Sequence, residues 1–284
     1  MTEDPRDPRD PRQPAAPPSE TSADGALDAG DAGYVPPDPD EPPPVELARV
    51  GDVLPWGTVV ILLVWGVVFF WFAVRRQTEL LPAYLAWGAN VGGRPPLETA
   101  WRLLASTFLH AGMAHVGFNA LSMMLFGSSV ESVFSRWAFW IVYAFGGSAA
   151  SLGSLAWHAW RYGDATHTSV GGSGAIFALG GALLASAIRL RTRLAVGRAR
   201  ALAAGALFLL GQSLVAGFSH LGTDNAAHAA GLVSGFGIGN FMPISVRLGG
   251  RPAPWAVRFV GAIAVVAVLA AIAIAVASGA SARY

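Results

Sequence analysis

Hydrophobic residues along this chain gather into seven long stretches, at roughly 54–74, 112–130, 137–160, 169–188, 201–219, 226–244 and 259–278. Most approach the ~20 residues that an α-helix needs to cross ~30 Å of hydrocarbon. The pattern predicts an all-α polytopic membrane protein with seven spanning helices. Residues 1 to about 50 show no apolar period, are rich in Pro, Asp, Ala and Gly, and repeat Asp-Pro-Arg near the start. A segment of that kind cannot bury enough surface to order itself, so a disordered acidic tail is expected. Its many acids and its lack of an early apolar core argue against organellar import and against a cleaved signal. The connection from about 75 to 111 mixes Trp87, Trp101, Pro82 and Pro95 with apolar residues. It reads as a structured, partly interfacial loop.

Composition agrees with this reading, since 53% of the 284 residues are hydrophobic and only 13% are charged, outside the range of ordinary soluble domains. The charges are poorly mixed. Thirteen of the 18 acids precede residue 54, and from there on 15 Arg face five acids, Glu79, Glu98, Glu131, Asp164 and Asp224. Every basic residue is Arg, a bias that fits a GC-rich, bacterial coding sequence. Arg189, Arg191, Arg193, Arg198 and Arg200 crowd one link, and Arg247, Arg251 and Arg258 mark another. The positive-inside rule makes both links cytoplasmic, which puts the N-terminus inside and the C-terminus outside. Arg75 and Arg76 oppose that orientation, but the larger cluster outweighs them. Without cysteine the chain has no disulfide, no thiolate nucleophile and no Cys-ligated metal.

Four polar residues stand where lipid should forbid them: His115, Asn119, Ser173 and His228. Polar groups at membrane depth are costly and point to function. Asn119 lies 17 residues before Arg136, Ser173 lies 16 before Arg189, and His228 lies 19 before Arg247. At ~1.5 Å per residue these spacings place all three at one level, roughly 25, 24 and 28 Å from the basic end. A water-filled cavity open to the outside would accommodate them.

Ser173 sits in Gly171-Gly172-Ser173-Gly174 at the mouth of a helix, where free N–H groups meet a developing negative charge. A lone helical serine ordinarily bonds back to a carbonyl one turn earlier, but this setting differs. Gly231, Gly235, Gly237 and Gly239 follow His228, and Gly174, Ala178, Gly180, Gly181 and Ala182 follow Ser173. Small residues let two helices approach closely, which brings an imidazole within reach of a hydroxyl, as general-base activation requires. His115 and Asn119, four residues apart, share a helix face. They suit hydrogen-bond donation to an oxyanion or an interhelical polar clamp, and the pair alone does not choose. His110 precedes the span and reads as a tie for the loop. Asp224 lies at a loop edge with no evident claim on His228, so a Ser-His dyad is expected in place of a triad.

These residues together resemble the rhomboid family of intramembrane serine proteases. The likeness runs from about Glu98 to Gly239. Trp101-Arg102 resembles the family's loop motif, and Phe108-Leu109-His110 with His115 and Asn119 resembles its second-span signature. Gly127 with Val130-Glu131 is similar to the following turn, Gly171-Gly172-Ser173-Gly174 to the nucleophile motif, and His228 with Gly231 and Gly235 to the sixth-span motif. The resemblance implies a six-helix core over 54–245, with Ser173 and His228 as the dyad and His115, Asn119 and the Ser173 amide around the oxyanion. It implies supporting roles for Trp101, Arg102, His110, Gly172, Gly174, Gly231 and Gly235. Phe177 stands where relatives often carry a Tyr packed on the catalytic histidine. The stretch 254–284 resembles the added C-terminal helix of one subgroup.

The reading that follows is a serine endopeptidase acting on transmembrane protein substrates, embedded in the bilayer of a bacterial cytoplasmic membrane. No cofactor, metal or nucleic acid is expected. A catalytically dead relative should lack the dyad, and a channel offers no reason for Gly-x-Ser-Gly opposite a histidine. No His-Glu-x-x-His occurs for zinc, and Gly237-Ile238-Gly239-Asn240 carries Asn where an aspartyl protease needs Asp.

Overall fold

A computed structural model of the chain describes residues 54–75, 80–93, 99–163, 166–190, 223–244 and 252–282, with 204, 205, 208 and 211. The acidic tail, most of the fifth apolar stretch, Arg76, and Arg191, Arg193, Arg198, Arg200, Arg247 and Arg251 lie outside the described residues. The other six apolar stretches are helical. They form α1 (Trp56–Arg75), α4 (Met113–Val133), α5 (Arg136–Tyr162), α6 (Ser173–Arg189), α7 (Asn225–Phe241) and α8 (Trp255–Ser281). The protein is all-α and polytopic.

The helices divide by environment. Among the described residues, three helical segments, Trp56–Val74, Arg136–Tyr162 and Trp255–Ser281, are long and apolar enough to cross a membrane. α1 and α8 turn Leu63, Val67, Phe70, Phe259, Val266 and Leu269 outward. In a bilayer such side chains meet acyl chains as apolar as themselves. α6 and α7 are only 17 residues each, and α6 is almost entirely buried. They form the centre.

What holds the centre is backbone-to-backbone packing. Gly231, Gly235 and Gly239 of α7 recur every four residues and face Gly174, Ala178 and Ala182 of α6, which share that spacing. A methyl group on Gly231 would strike the Gly174 carbonyl, one on Gly235 the Ala178 carbonyl, and one on Gly239 would lie 2.7 Å from the Ala182 Cα. Gly181 meets α7 in the same way, against Leu232 and Phe236. Gly237, in contrast, faces open space and takes no part. α5 closes on both helices through Gly147 against Ala175 and Gly153 against Ala230. Its middle, Val142–Gly146, is wound as a π-helix, a local widening often found at functional sites. There the buried Tyr143 hydroxyl meets Thr107 Oγ1 at 2.9 Å.

The connection after α1 is structured over its described residues, as its composition predicts, while 76–79 and 94–98, with Pro95, lie outside them. It contains α2 (Leu80–Ala86), β1 (Asn90–Val91), α3 (Arg102–Ala105) and a 3₁₀ turn over Ser106–Phe108. Arg102 is 8% exposed. Its Nη1 donates to the carbonyls of Leu85 at 2.6 Å and Ala89 at 3.2 Å, while Trp101 covers it at 4.6 Å. Such bonds satisfy a buried charge and clamp the loop at the same time. A short antiparallel pair, Asn90↔Ser169 and Val91↔Thr168, joins β1 to β2 (Thr168–Ser169). This strand contact was not foreseen, because two residues are too few to show an alternating pattern.

Gly127 and Glu131 anchor α4 to α1. The Glu131 carboxylate accepts from the N–H groups of Gly57 at 3.1 Å and Thr58 at 2.8 Å and from Thr58 Oγ1 at 2.9 Å. A carboxylate at a helix N-terminus satisfies orphan donors and opposes the helix dipole favourably. α8 contributes Ala264, Val268 and Ala271 to the buried core and packs with Gly261 against Trp137 and Gly279 against the Trp87 ring.

Candidate active site

Ser173 is the first residue of α6, and each glycine beside it has a separate steric reason. Gly171 has φ +132°, a region that L side chains rarely enter, and a methyl there would lie 2.8 Å from the His115 ring. Gly172 lies flat against the Trp65 indole, and a methyl on Gly174 would meet Ala150 Cβ at 2.7 Å. The Gly171 N–H donates to the Ser106 carbonyl at 3.0 Å, which pins the turn to the loop. Gly172 caps α6 without a side-chain bond. Gly172 thus offers the N–H groups of the first turn no side-chain acceptor, which leaves them placed to meet an anion.

His228 is the fourth residue of α7 and is 8% exposed. Its Nε2 lies 2.7 Å from Ser173 Oγ, the separation that proton transfer between a hydroxyl and a base requires. Phe177, one turn after Ser173, stacks on the imidazole at 4.3 Å between centroids and 8° between planes. It fixes the ring plane.

His115 and Asn119 come to the same place from α4. The ring of His115 packs on Gly171, and the Asn119 amide lies behind it, within 3.8 Å of where a Gly171 Cβ would be. Asn119 Nδ2 is buried and has no hydrogen-bond partner among the described residues. A buried orphan donor is costly, and one beside a helix mouth is placed to meet an anion. His115 Nδ1 accepts weakly from the Ala111 N–H at 3.4 Å. His110 packs edge-on to both Trp65 (4.9 Å) and His115 (5.1 Å), and its carbonyl accepts the Tyr84 hydroxyl at 2.9 Å. It ties α1, the loop and α4 together.

Trp65 escaped the sequence reading. It is 1% exposed and forms the floor under Gly172, yet in sequence it is one aromatic among the Leu, Val and Phe of α1. Asp224 also does more than solvate. It caps α7, with Oδ1 accepting the Ala227 N–H at 2.9 Å and Oδ2 accepting the Ser154 hydroxyl. Burial by itself raises its pKa, but the bonds from Ser154, Ala227 and Ser169 and the nearby His167 outweigh that and hold the carboxyl below its ordinary range. Both carboxylate oxygens thus have partners other than the His228 ring.

Comparison with known proteins bears on the family of the chain. The chain is 28% identical over 182 residues to the rhomboid protease GluP of Bacillus subtilis, covering 64% of this chain and 34% of GluP. It is 36% identical over 140 residues to RHOMBOID-like protein 1 of Arabidopsis thaliana, 49% of this chain and 33% of that protein. Human Rhomboid-related protein 3 is 31% identical over 139 residues, 47% and 32% of the two chains. The chain spans about a third of the length of each of these relatives. Residues 97–244 match the Rhomboid domain. That segment is just over half of the chain and carries Ser173, His228, His115, Asn119 and the glycine-packed helices, so this integral membrane protein belongs to the rhomboid family.

Proposed function

We propose that the protein is an intramembrane serine endopeptidase, hydrolysing peptide bonds in or next to the transmembrane segments of other membrane proteins. The observation that carries this reading is the 2.7 Å approach of His228 Nε2 to Ser173 Oγ at an uncapped helix mouth. In the proposed reaction Ser173 Oγ attacks the scissile carbonyl while His228 takes its proton. The resulting oxyanion is met by the Ser173 N–H, the Asn119 amide and His115. His228 then protonates the leaving amine, the acyl-enzyme remains on Ser173, and a water activated by the same imidazole releases it. The core is assigned to 54–245, with 254–284 as an added helix. The membrane is assigned as a bacterial cytoplasmic membrane with the N-terminus inside.

The direct test is an active-site-directed fluorophosphonate on the purified protein, followed by peptide mapping. Label on Ser173 is expected, and its loss in a folded His228→Ala variant. A folded protein that stays unlabelled, or carries the label elsewhere, overturns the assignment. Asn119→Ala is expected to lower turnover by about 10²–10³-fold with a smaller effect on KM, because an oxyanion donor acts mainly in the transition state. Steady-state kinetics on one transmembrane substrate decides this, and an unchanged turnover number removes Asn119 from the site.

Substrate choice follows from the bilayer. A helix in lipid has its amides bonded internally, so a peptide bond reaches Ser173 only after local unwinding. Substrates with Gly or Pro near the cut, and a small residue before it, are expected to be preferred. Replacing the Gly and Pro residues of one substrate by Leu should slow cleavage. Equal rates for parent and all-Leu helix would show that unwinding does not limit the reaction.

A further inference from the structure

We propose that His158, His167 and Asp224 form a binding site for a transition-metal dication of the zinc class, tying the end of α5 and the strand before Ser173 to the start of α7. The three residues come from separate parts of the chain. His158 is near the end of α5, His167 directly precedes β2, and Asp224 is the N-cap of α7. One ligand atom from each lies within 4.8 Å of the other two. Nothing in the proposed proteolysis uses His158 or His167.

The geometry suits a small ion. Tetrahedral bonds of ~2.0–2.1 Å set neighbouring ligand atoms about 3.3–3.4 Å apart. His167 Nε2 and Asp224 Oδ2 already stand at 3.7 Å. The His158 and His167 rings are stacked, 3.4 Å between centroids and 3° between planes. The in-plane lone pairs of stacked rings run parallel, so an ion held by both requires one ring to swing out of the stack, through side-chain rotation, by about the 109° of a tetrahedral angle. The carboxylate is held in place by Ser154 and the Ala227 N–H, the kind of outer bonding that orients metal ligands.

Donor chemistry selects the class. Magnesium and calcium favour all-oxygen sets, whereas two imidazoles with one carboxylate suit zinc, cobalt, nickel or copper. Three protein ligands leave a position for water. Sequence alone gave no sign of this site, because the histidines are nine positions apart and His167 and Asp224 are 57 positions apart, and it revises the expectation of a metal-free protein. The site has a mechanical route to the dyad. The Asp224 carbonyl accepts the His228 N–H at 3.1 Å, and β2 leads directly into Gly171-Gly172-Ser173. An ion there stiffens both approaches to the 2.7 Å contact.

The test is titration of the detergent-solubilised full chain, affinity tag removed, with Co²⁺ as spectroscopic probe and Zn²⁺ as competitor. One Co²⁺ per chain is expected, with visible d–d absorption of a tetrahedral or five-coordinate site that Zn²⁺ abolishes. His158→Gln and His167→Gln should each weaken binding about tenfold or more, while His228→Ala retains it. Absence of stoichiometric uptake by the parent overturns the proposal. So does unchanged binding in both folded Gln variants, or loss in His228→Ala alone, which would place the ion at the dyad. A measurement on the unaltered protein does not depend on variant folding: Zn²⁺ should protect His158 and His167 from carbethoxylation by diethyl pyrocarbonate, read by peptide mass spectrometry. Equal modification with and without Zn²⁺ also overturns it.

Discussion

Ser173→Ala is expected to leave a folded protein whose cleavage of a transmembrane substrate falls by about 10⁶-fold, effectively to background. The magnitude follows from how nucleophile and base act as a unit. Without Oγ there is no acyl-enzyme, and without the imidazole a hydroxyl near its ordinary pKa is a poor nucleophile. His228→Ala should therefore lose about as much, and the double variant little more than either, because the two effects are not additive. Gel-based cleavage of a reconstituted substrate, with thermal unfolding as the check on folding, measures all three. Robust cleavage by folded Ser173→Ala would falsify the proposed mechanism.

The second large effect lies two turns from the contact between Ser173 and His228. Gly235→Ala should destabilise the protein and abolish most activity, although alanine is the better helix former by about 1 kcal/mol. The added methyl would drive into the Ala178 carbonyl, a backbone atom with no rotamer to yield. Overpacking of a close-packed site costs about 1–3 kcal/mol and sometimes more. Here relief requires α6 and α7 to separate, and that separation carries Ser173 away from His228. Gly237→Ala is the control on the same helix. Its methyl meets nothing within 4 Å, so stability and activity should stay level or rise slightly. If the two variants behave alike in thermal unfolding and turnover, the close approach of α6 and α7 is not what assembles the site.

The contact between Ser173 and His228 is thus a product of helix packing more than of local geometry. Ser173 and His228 are 55 residues apart in the chain, and each stands near the start of its own helix. Gly174, Ala178 and Ala182 form the complement to Gly231, Gly235 and Gly239. Arg189 locks the far end of the pair, donating to the carbonyls of Gly239 at 2.8 Å and Met242 at 2.7 Å. α4 then adds His115 and Asn119 over the gap left by Gly171, while α1 adds Trp65 beneath Gly172.

Much of this was legible without coordinates, because lipid restricts what a chain can do. A bilayer forces backbone amides into helices, so long apolar runs reveal the elements. It also makes polar residues conspicuous, and His115, Asn119, Ser173 and His228 stood out for that reason. The small residues on α6 and α7 pointed to a close approach, although Gly237 counted there alongside Gly231, Gly235 and Gly239 and in fact faces away. Other features were silent. Trp65 looks like any lipid-facing aromatic until its burial is known, and Gly237 looks like its neighbours until its direction is known. β1 and β2 are too short to leave a period, and the capping role of Asp224 depends on Ser154, 70 residues away.

What the sequence determined by itself was the helical character of six of the seven apolar stretches, the fifth lying mostly outside the described residues, the close approach of α6 and α7 through small residues, and the residues with chemistry to offer, since each follows from local composition and from a solvent that tolerates few alternatives. What tertiary structure alone decided was which atoms touch: the hydroxyl-to-imidazole distance, the Asn119 Nδ2 left without a partner among the described residues, and the convergence of His158, His167 and Asp224. Contacts of that kind depend on how separate helices translate and rotate against one another by fractions of a turn, and no pattern along a single helix encodes that displacement.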